Sequence, residues 1–277
     1  MCLYPFSVKN PRTGKMQTVK CGKCLECLQS QTVEWALRIV LESKQYKDNC
    51  CITLTYDNEH VPDDLQLRRR DIQLFIKSLR KKLDPLRIRV FYSGEYGEKR
   101  GRPHFHLIVF NWIPDDLQNL FIKNGEQFYV SKTVSDLWKR GNILVGALTF
   151  QTAFYCAKYL QKFKGTEKEV KPFVGMSNRP GIAYNAITYD MLKDGKIYYN
   201  GKVYPIPRYF VKVLERDRGI LDSDVLELRS RRIRNLYDSI RRQGEKSLES
   251  RLEREKKLLG KESWEIYKKG IDNTPPP

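Results

Sequence analysis

The sequence lacks the features of a membrane-spanning or secreted protein. No run approaches the roughly 18 consecutive apolar residues that a membrane helix needs, and the opening MCLYPFSVKN lacks the basic-then-apolar order of a secretory signal. Seven cysteines, an odd number, in a chain of 277 residues argue against a disulfide framework and favour reduced thiols or a metal site. We therefore expect a cytoplasmic protein without a membrane partner.

Acidic residues are too few to balance the basic ones. The chain has 33 Asp and Glu against 51 Lys and Arg, a formal charge of +18 and a pI near 9.5. Fixed positive charge gains free energy by releasing counterions from phosphate backbones, so nucleic acid is the leading partner, with a merely basic soluble protein as the alternative. From Asp222 onward 14 basic residues face 11 acidic ones, a charge of +3, so about +15 lies before that point and predicts the phosphate-binding surface there.

Apolar periodicity predicts a mixed fold. The fold class is α+β: a central antiparallel sheet with helices packed on one face, followed by a charged helical C-terminal extension. We expect one domain over residues 1–220, including the cysteine-containing N-terminal segment, and a tail over residues 221–277. The predicted helices are 28–43, 71–83, 114–123, 130–141 and 151–163, and the predicted strands are 50–56, 86–97, 104–112 and 142–150, with a hairpin over 196–204 at Asn200-Gly201.

Two of the three histidines lie two residues apart in the predicted strand HFHLIVFNW. Side chains at i and i+2 project from the same face of a strand, so His104 and His106 point together. Two neighbouring imidazoles can serve as metal ligands or as acid-base groups. The alternative is a pair of ordinary core or surface histidines.

A carboxylate on the preceding strand can complete a metal site. Glu95 comes nine residues before His104, where an antiparallel hairpin returns the chain beside itself, and Glu98 in the predicted loop is the second candidate. Two imidazoles and one carboxylate leave positions open for water and a phosphate oxygen, which suits Mn²⁺ or Mg²⁺.

The predicted helix QTAFYCAKYLQKF carries a pair of tyrosines. Tyr155 and Tyr159 are four residues apart, so their side chains lie about 5.4 Å apart along one helical face, with Lys158 beside them. A phenol has a pKa of ~10 and needs a nearby cation or base to act as a nucleophile. Two tyrosines that only pack an amphipathic helix are the alternative.

The segments TLTY, HFH and YCAKY occur in that order on a predicted strand, a hairpin strand and a helix. In order and type they resemble the three motifs of the HUH rolling-circle replication initiators. The sequence CGKCLEC, the Trp-Ala pair in the following helix and RPGI at Arg179–Ile182 resemble the gokushovirus branch of the microvirus initiators. The resemblance covers roughly residues 20 to 215.

This resemblance implies a metal-dependent endonuclease with an RRM/ferredoxin-like HUH domain. In such proteins the two histidines bind the metal and tyrosine attacks single-stranded DNA at the replication origin, leaving a 5′-phosphotyrosyl link and a 3′-OH that primes synthesis. The second tyrosine can then cut the regenerated origin so that the displaced strand is rejoined. No phosphate-binding G-x-x-x-x-G-K-[ST] loop is present, so the helicase and the polymerase are expected from the host, in the bacterial cytoplasm.

Several basic residues near these motifs are candidates for phosphate contacts. Arg100 and Arg102 flank the histidine strand, Arg179 precedes the second Pro-Gly loop, and Lys158 lies between the tyrosines. Such contacts would provide salt-sensitive binding to the DNA backbone.

The cluster CGKCLEC brings three thiols together. Cys21, Cys24 and Cys27 form a possible structural Zn²⁺ site, for which Cys2, Cys50 or Cys51 would supply the fourth ligand. An iron–sulfur cluster fits the spacing but lacks a complete ligand set. The alternative is that these are reduced thiols at the start of the first helix.

Two rival functions differ in class from a replication initiator or in its substrate. A relaxase or transposase of the HUH type would share the active site and differ in its DNA. A non-catalytic basic DNA-binding protein would use its histidines and tyrosines only for packing.

Overall fold

The computed structural model describes residues 2, 4–9, 11, 14, 16–97, 101–158, 169–188, 196–217, 250 and 253. The chain divides into two units, one of Trp35–Ala186 and one that combines Met1–Glu34 with Ile187–Pro277. The predicted boundary at residue 220 lies outside the described residues, and so does most of the predicted charged tail.

The described residues form eleven strands and five helices. In chain order these are β1 (Phe6–Lys9), β2 (Met16–Val19), α1 (Leu25–Ser43), β3 (Asn49–Tyr56), α2 (Arg69–Leu83), β4 (Arg89–Tyr96), β5 (Pro103–Phe110), β6 (Leu117–Lys123), β7 (Glu126–Ser131), α3 (Lys132–Trp138), β8 (Gly141–Ala147), α4 (Phe150–Lys158), β9 (Phe173–Met176), β10 (Lys196–Tyr199), β11 (Lys202–Pro205) and α5 (Arg208–Asp217).

The larger unit is built on a seven-stranded antiparallel sheet in the order β6-β7-β8-β3-β5-β4-β9. Strands β3 and β5 lie next to each other near its centre and pair over seven residues. The predicted α+β class and antiparallel sheet are confirmed. Within the described residues, no helix is both long and apolar enough to cross a membrane.

One face of this sheet carries the main hydrophobic core. Strand β3 alternates strictly, with Ile52 and Leu54 buried among the apolar residues of α2 and α3. The Trp138 ring of α3 packs edge-on against Phe105 of β5, and its centroid lies 5.9 Å away. Each apolar side chain that is fully buried here contributes about 1.5–3 kcal/mol, so this face supplies much of the rigidity of the sheet.

The opposite face, which carries the two histidines, is also covered. Trp35 of α1 packs against Phe91 of β4, and α4 lies against the same side of β4 and β5. The expectation of helices on one face therefore describes α2 and α3, while α1 and α4 cover the other. Strand β4 is buried at six consecutive positions, as a strand covered on both sides must be.

The prediction of helices over 114–123 and 130–141 was wrong in part. Residues Leu117–Lys123 and Glu126–Ser131 are paired strands, and only Lys132–Trp138 is helical. The turn between the strands is Asn124-Gly125, whose residues both have positive φ, as the favoured two-residue hairpin turn requires. The apolar residues of β6 fit a helical spacing equally well, and this turn decides between the two structures.

The helix that was predicted to close at Gly141 ends three residues earlier. Lys139 caps α3 in the left-handed conformation, and its N–H donates to the carbonyl of Ser135. Gly141 begins β8 instead, with φ of +136°, where an added Cβ would lie 2.2 Å from the backbone N of Asp57. Only glycine allows the two strands to approach this closely.

The smaller unit contains two hairpins and α5. Strand β1 pairs with β2 antiparallel, and β10 pairs with β11 through the predicted Asn200-Gly201 turn, which is confirmed. The apolar residues of α5 are buried: Phe210, Val211, Val213 and Leu214.

Candidate functional site

Strands β4 and β5 place the predicted metal ligands on one face of the sheet. In their antiparallel register Glu95 is opposite His104, and Ser93 is opposite His106. Because side chains alternate along a strand, Glu95 and both histidines project from the same side. The nine-residue separation between Glu95 and His104 in sequence thus becomes direct contact.

Three ligand atoms converge at this point. Glu95 Oε1 lies 2.7 Å from His104 Nε2 and 2.8 Å from His106 Nε2. The two imidazole rings are 5.1 Å apart and nearly perpendicular. Glu95 and His106 are buried and His104 is partly exposed, so the cluster is open to solvent at the His104 side.

The outer nitrogens of both imidazoles are held by neighbouring groups. His104 Nδ1 lies 3.2 Å from the carbonyl oxygen of Arg102, and His106 Nδ1 lies 3.1 Å from Thr53 Oγ1. A carbonyl only accepts, so His104 Nδ1 carries a hydrogen and, in the neutral ring, its Nε2 lone pair points at Glu95. Such outer contacts orient the ring and fix the tautomer in metal sites.

The donor set fits a divalent cation. A carboxylate oxygen and two imidazole nitrogens at these separations need either shared protons or a cation between them. Burial raises the pKa of Glu95, but hydrogen bonds from His104 and His106 outweigh it and hold the pKa at about 2. Glu95 is therefore a carboxylate near neutral pH and supplies the negative charge that Mn²⁺ or Mg²⁺ binding requires.

Helix α4 brings a tyrosine to the histidine cluster. The ring of Tyr155 packs edge-on against that of His106, with centroids 5.2 Å apart, and the Tyr155 side chain is 48% exposed. A phenol thus reaches the site while staying accessible to a large substrate.

Two local features position this helix. Thr149 and Thr152 form a reciprocal capping pair, in which each backbone N–H donates to the other's hydroxyl at 3.1 and 2.8 Å. The residues that α4 buries are all small, so the helix can lie close to the sheet. They are Ala153, Cys156 and Ala157.

The other predicted residues of the tyrosine helix are only partly described. Lys158 is the last residue of α4, is exposed, and follows Tyr155 by three positions on the helix. Tyr159 lies outside the described residues, as do Arg100 and the second candidate ligand Glu98.

The two described arginines have different positions. Arg102 donates to the carbonyl of Tyr56 at 2.8 Å and to Asn58, which ties the start of β5 to the end of β3 beside the histidines. Arg179 is exposed and precedes Pro180, whose carbonyl accepts from Arg89. Arg89 is six residues from Glu95 along β4, about 20 Å, so Arg179 lies far from the cluster. Phosphate binding by either arginine stays a prediction.

Sequence reasoning missed the contact of Thr53. Thr53 is opposite His106 in the β3–β5 pairing and belongs to the TLTY segment that was noted only as a motif. Its position on the odd-numbered face of β3, shared with a face of β5 that carries histidines, was the available signal.

The cysteines of CGKCLEC form a second cluster in the smaller unit. Cys21, Cys24 and Cys27 lie together with Cys2, and one sulfur from each is within 4.8 Å of the others. The other candidates for a fourth ligand lie in β3, where Cys50 is part of the main core and the Cys51 sulfur is 4.0 Å from that of Cys156.

Comparison with known proteins finds relatives in phages. Residues 49–164 match the family model of the replication-associated protein ORF2. The chain is 36% identical over 210 residues to Replication-associated protein VP4 of Bdellovibrio phage phiMH2K, an alignment that covers 69% of the chain and 65% of that protein. It is 33% identical over 213 residues to Replication-associated protein ORF4 of Chlamydia phage 1, which covers 71% of the chain and 53% of that protein.

A third relative is covered more completely. The chain is 33% identical over 220 residues to Replication-associated protein ORF2 of Spiroplasma virus 4, an alignment that covers 72% of the chain and 68% of that protein. The chain thus spans between about half and about two thirds of the length of these relatives. No solved structure matches it.

Proposed function

The chain belongs to the microvirus-type family of phage replication-associated proteins, and we propose that it is a rolling-circle replication initiator that nicks single-stranded DNA at the viral origin. The observation that carries this proposal is the meeting of two imidazoles, one carboxylate and one phenol on a single face of the sheet. This arrangement supports an HUH-type endonuclease that works through a tyrosine nucleophile.

Each group of the cluster has a defined task in this proposal. A Mn²⁺ or Mg²⁺ ion bound by Glu95, His104 and His106 would withdraw charge from the scissile phosphate and help to orient it. Thr53 and the Arg102 carbonyl hold the two imidazoles in the orientation that directs both Nε2 atoms at the ion. Lys158, exposed on the same helix as Tyr155, can hold a phosphate oxygen or favour the phenolate.

Tyr155 is the proposed nucleophile because its ring contacts His106. Its phenolic oxygen attacks the phosphorus and loses its proton, a P–O bond to the tyrosine forms, and the bond to the 3′ oxygen breaks. The leaving oxygen takes up a proton and becomes a free 3′-OH, while the 5′ phosphate stays on the enzyme. The 3′-OH then primes a host polymerase, with strand separation by a host helicase in the bacterial cytoplasm.

Rejoining reverses the same chemistry. A 3′-OH attacks the phosphotyrosyl phosphorus, the bond to the tyrosine oxygen breaks, and a phosphodiester forms. The covalent link conserves the energy of the original bond, so no ATP is needed. Tyr159, four residues after Tyr155, is the proposed second nucleophile that cuts the regenerated origin.

Charge supports binding to the DNA backbone. About +15 of the total charge of +18 lies before residue 222, in the part of the chain that contains the cluster. Fixed positive charge of this size predicts affinity that falls steeply with salt. Arg100, Arg102 and Arg179 stay candidates for this contact, with Arg179 placed to bind only phosphates far from the scissile one.

The test is formation of a covalent adduct with a single-stranded origin oligonucleotide, with and without Mn²⁺. Replacing both tyrosines, Tyr155→Phe with Tyr159→Phe, is expected to abolish the adduct. Tyr198→Phe, at a tyrosine of β10 that is 65% exposed, is the control and should react normally. An adduct formed by the double variant would refute the proposal. DNA binding by the wild type without any cleavage would favour the non-catalytic alternative.

A further inference from the structure

The cysteine cluster of the smaller unit has the composition of a metal site that is separate from the proposed nuclease centre. We propose that Cys2, Cys21, Cys24 and Cys27 bind one structural Zn²⁺ ion. The sequence left the fourth ligand open among three cysteines, and the fold brings Cys2 to the other three.

The spacing of the sulfurs fits one tetrahedral ion. Each of the four sulfurs lies within 4.8 Å of the others, and those of Cys21 and Cys27 are 3.9 Å apart. Zinc–sulfur bonds of about 2.3 Å in a tetrahedron place the sulfurs about 3.8 Å from each other. A polynuclear iron–sulfur cluster would lie between its ligands and hold them farther apart, so the geometry favours a single ion.

Backbone donors surround the sulfurs. The N–H groups of Lys23 and Cys24 both donate to Cys21 Sγ at 3.4 Å, and the N–H of Cys21 donates to Cys2 Sγ at 3.1 Å. Such contacts favour the thiolate, which is the form that binds metal. A loop whose amides converge on sulfur in this way forms a ligand site rather than a set of unrelated thiols.

The position of the cluster gives the ion a structural task. Cys2 precedes β1, Cys21 follows β2, Cys24 accepts the first helical hydrogen bond of α1 from Leu28, and Cys27 is in the first turn. One ion would therefore join the strand hairpin to the start of α1. The hydrophobic cluster here consists of cysteines with Tyr4 packed beside them. A hairpin of two four-residue strands with so small a core is marginal in water, so a metal cross-link would supply the missing stability.

The two proposed sites select different ions. Four thiolates form a closed, soft site that suits Zn²⁺ and leaves no position for water or phosphate. The nuclease cluster offers one carboxylate and two imidazoles, with open positions. The zinc is thus expected to affect folding of the N-terminal segment and not to take part in the chemistry.

The test is the metal content of the full-length protein after purification without chelator. Elemental analysis is expected to give one zinc per chain in the wild type and in the control Cys51→Ser, and less than a tenth of that in Cys2→Ser. Cys2→His restores four ligands and should restore binding, and after loading with Co²⁺ its absorption spectrum should differ from that of the wild-type tetrathiolate. A wild type that neither contains zinc nor takes up added Zn²⁺ would overturn the proposal, as would full zinc in Cys2→Ser or one iron in place of zinc.

A second measurement covers the case in which Cys2→Ser does not fold. In the wild type, alkylation should spare Cys2, Cys21, Cys24 and Cys27 together and modify all four together after a zinc-specific chelator is added. The reactivity of Cys51 should stay unchanged. Independent alkylation of the four thiols, indifferent to the chelator, would refute a shared ion.

Discussion

The substitution Glu95→Gln tests whether the histidine cluster is a cation site. Glu95 Oε1 is the atom that both Nε2 nitrogens approach, at 2.7 and 2.8 Å, so the change removes one of three ligands and the only negative charge among them. The amide is nearly the same size, and its N–H can donate to an imidazole nitrogen, so the fold should persist. Changing a group that only orients a ligand typically costs about 10–100-fold in metal affinity. Loss of the ligand itself should weaken Mn²⁺ binding by at least about 100-fold, or about 2.7 kcal/mol.

Titration calorimetry with Mn²⁺ measures this loss, and circular dichroism confirms that the variant is folded. Glu59→Gln, at an exposed glutamate in the loop after β3, removes the same charge elsewhere and should bind Mn²⁺ as the wild type does. Adduct formation by Glu95→Gln should fall in parallel and recover partly at high Mn²⁺. A folded Glu95→Gln protein with wild-type Mn²⁺ affinity would show that Glu95 is not a ligand and that its contacts are only structural.

Two further predictions concern the same cluster. Burial raises and the hydrogen bonds from both histidines lower the pKa of Glu95, from 4.5 to about 2 in the folded protein. In metal-free protein this stabilisation, about 3 kcal/mol, should be complete above pH ~4.5 and be lost as the pH falls toward ~2, so urea unfolding of wild type and Glu95→Gln should converge at acid pH; a constant difference would contradict it. Thr53→Val removes the partner of His106 Nδ1 and should weaken Mn²⁺ binding about 10–100-fold, whereas Thr55→Val on the same strand should not; equal effects would show a general disturbance of β3.

Sequence reasoning reached the ligand trio because a strand hairpin has few degrees of freedom. A period of two puts His104 and His106 on one face, and an antiparallel return places Glu95 opposite His104. The same reasoning failed over Leu117–Lys123, where the apolar residues suit either a helix or a strand. The Asn124-Gly125 turn in that segment carried the decisive signal, as the same dipeptide did at residues 200 and 201.

The layers of the fold were harder to predict than its elements. Amphipathic helices indicate that each must cover an apolar surface, but not which side of the sheet each covers. The uninterrupted burial of β4 belongs to a strand with helices on both faces, and that property depends on where α1 and α4 pack.

What the sequence determined by itself is local: the strand and helix periods, the shared face of the two histidines, the spacing of the cysteine cluster, and the excess of positive charge. Only the tertiary structure decided which distant residues meet. Packing of α4 through its small side chains brought Tyr155 to His106, strand pairing brought Thr53 to the same imidazole, and the β1–β2 hairpin brought Cys2 to the other three thiols. Periodicity follows from backbone geometry within a few residues, whereas these contacts depend on register and packing between segments far apart in the chain.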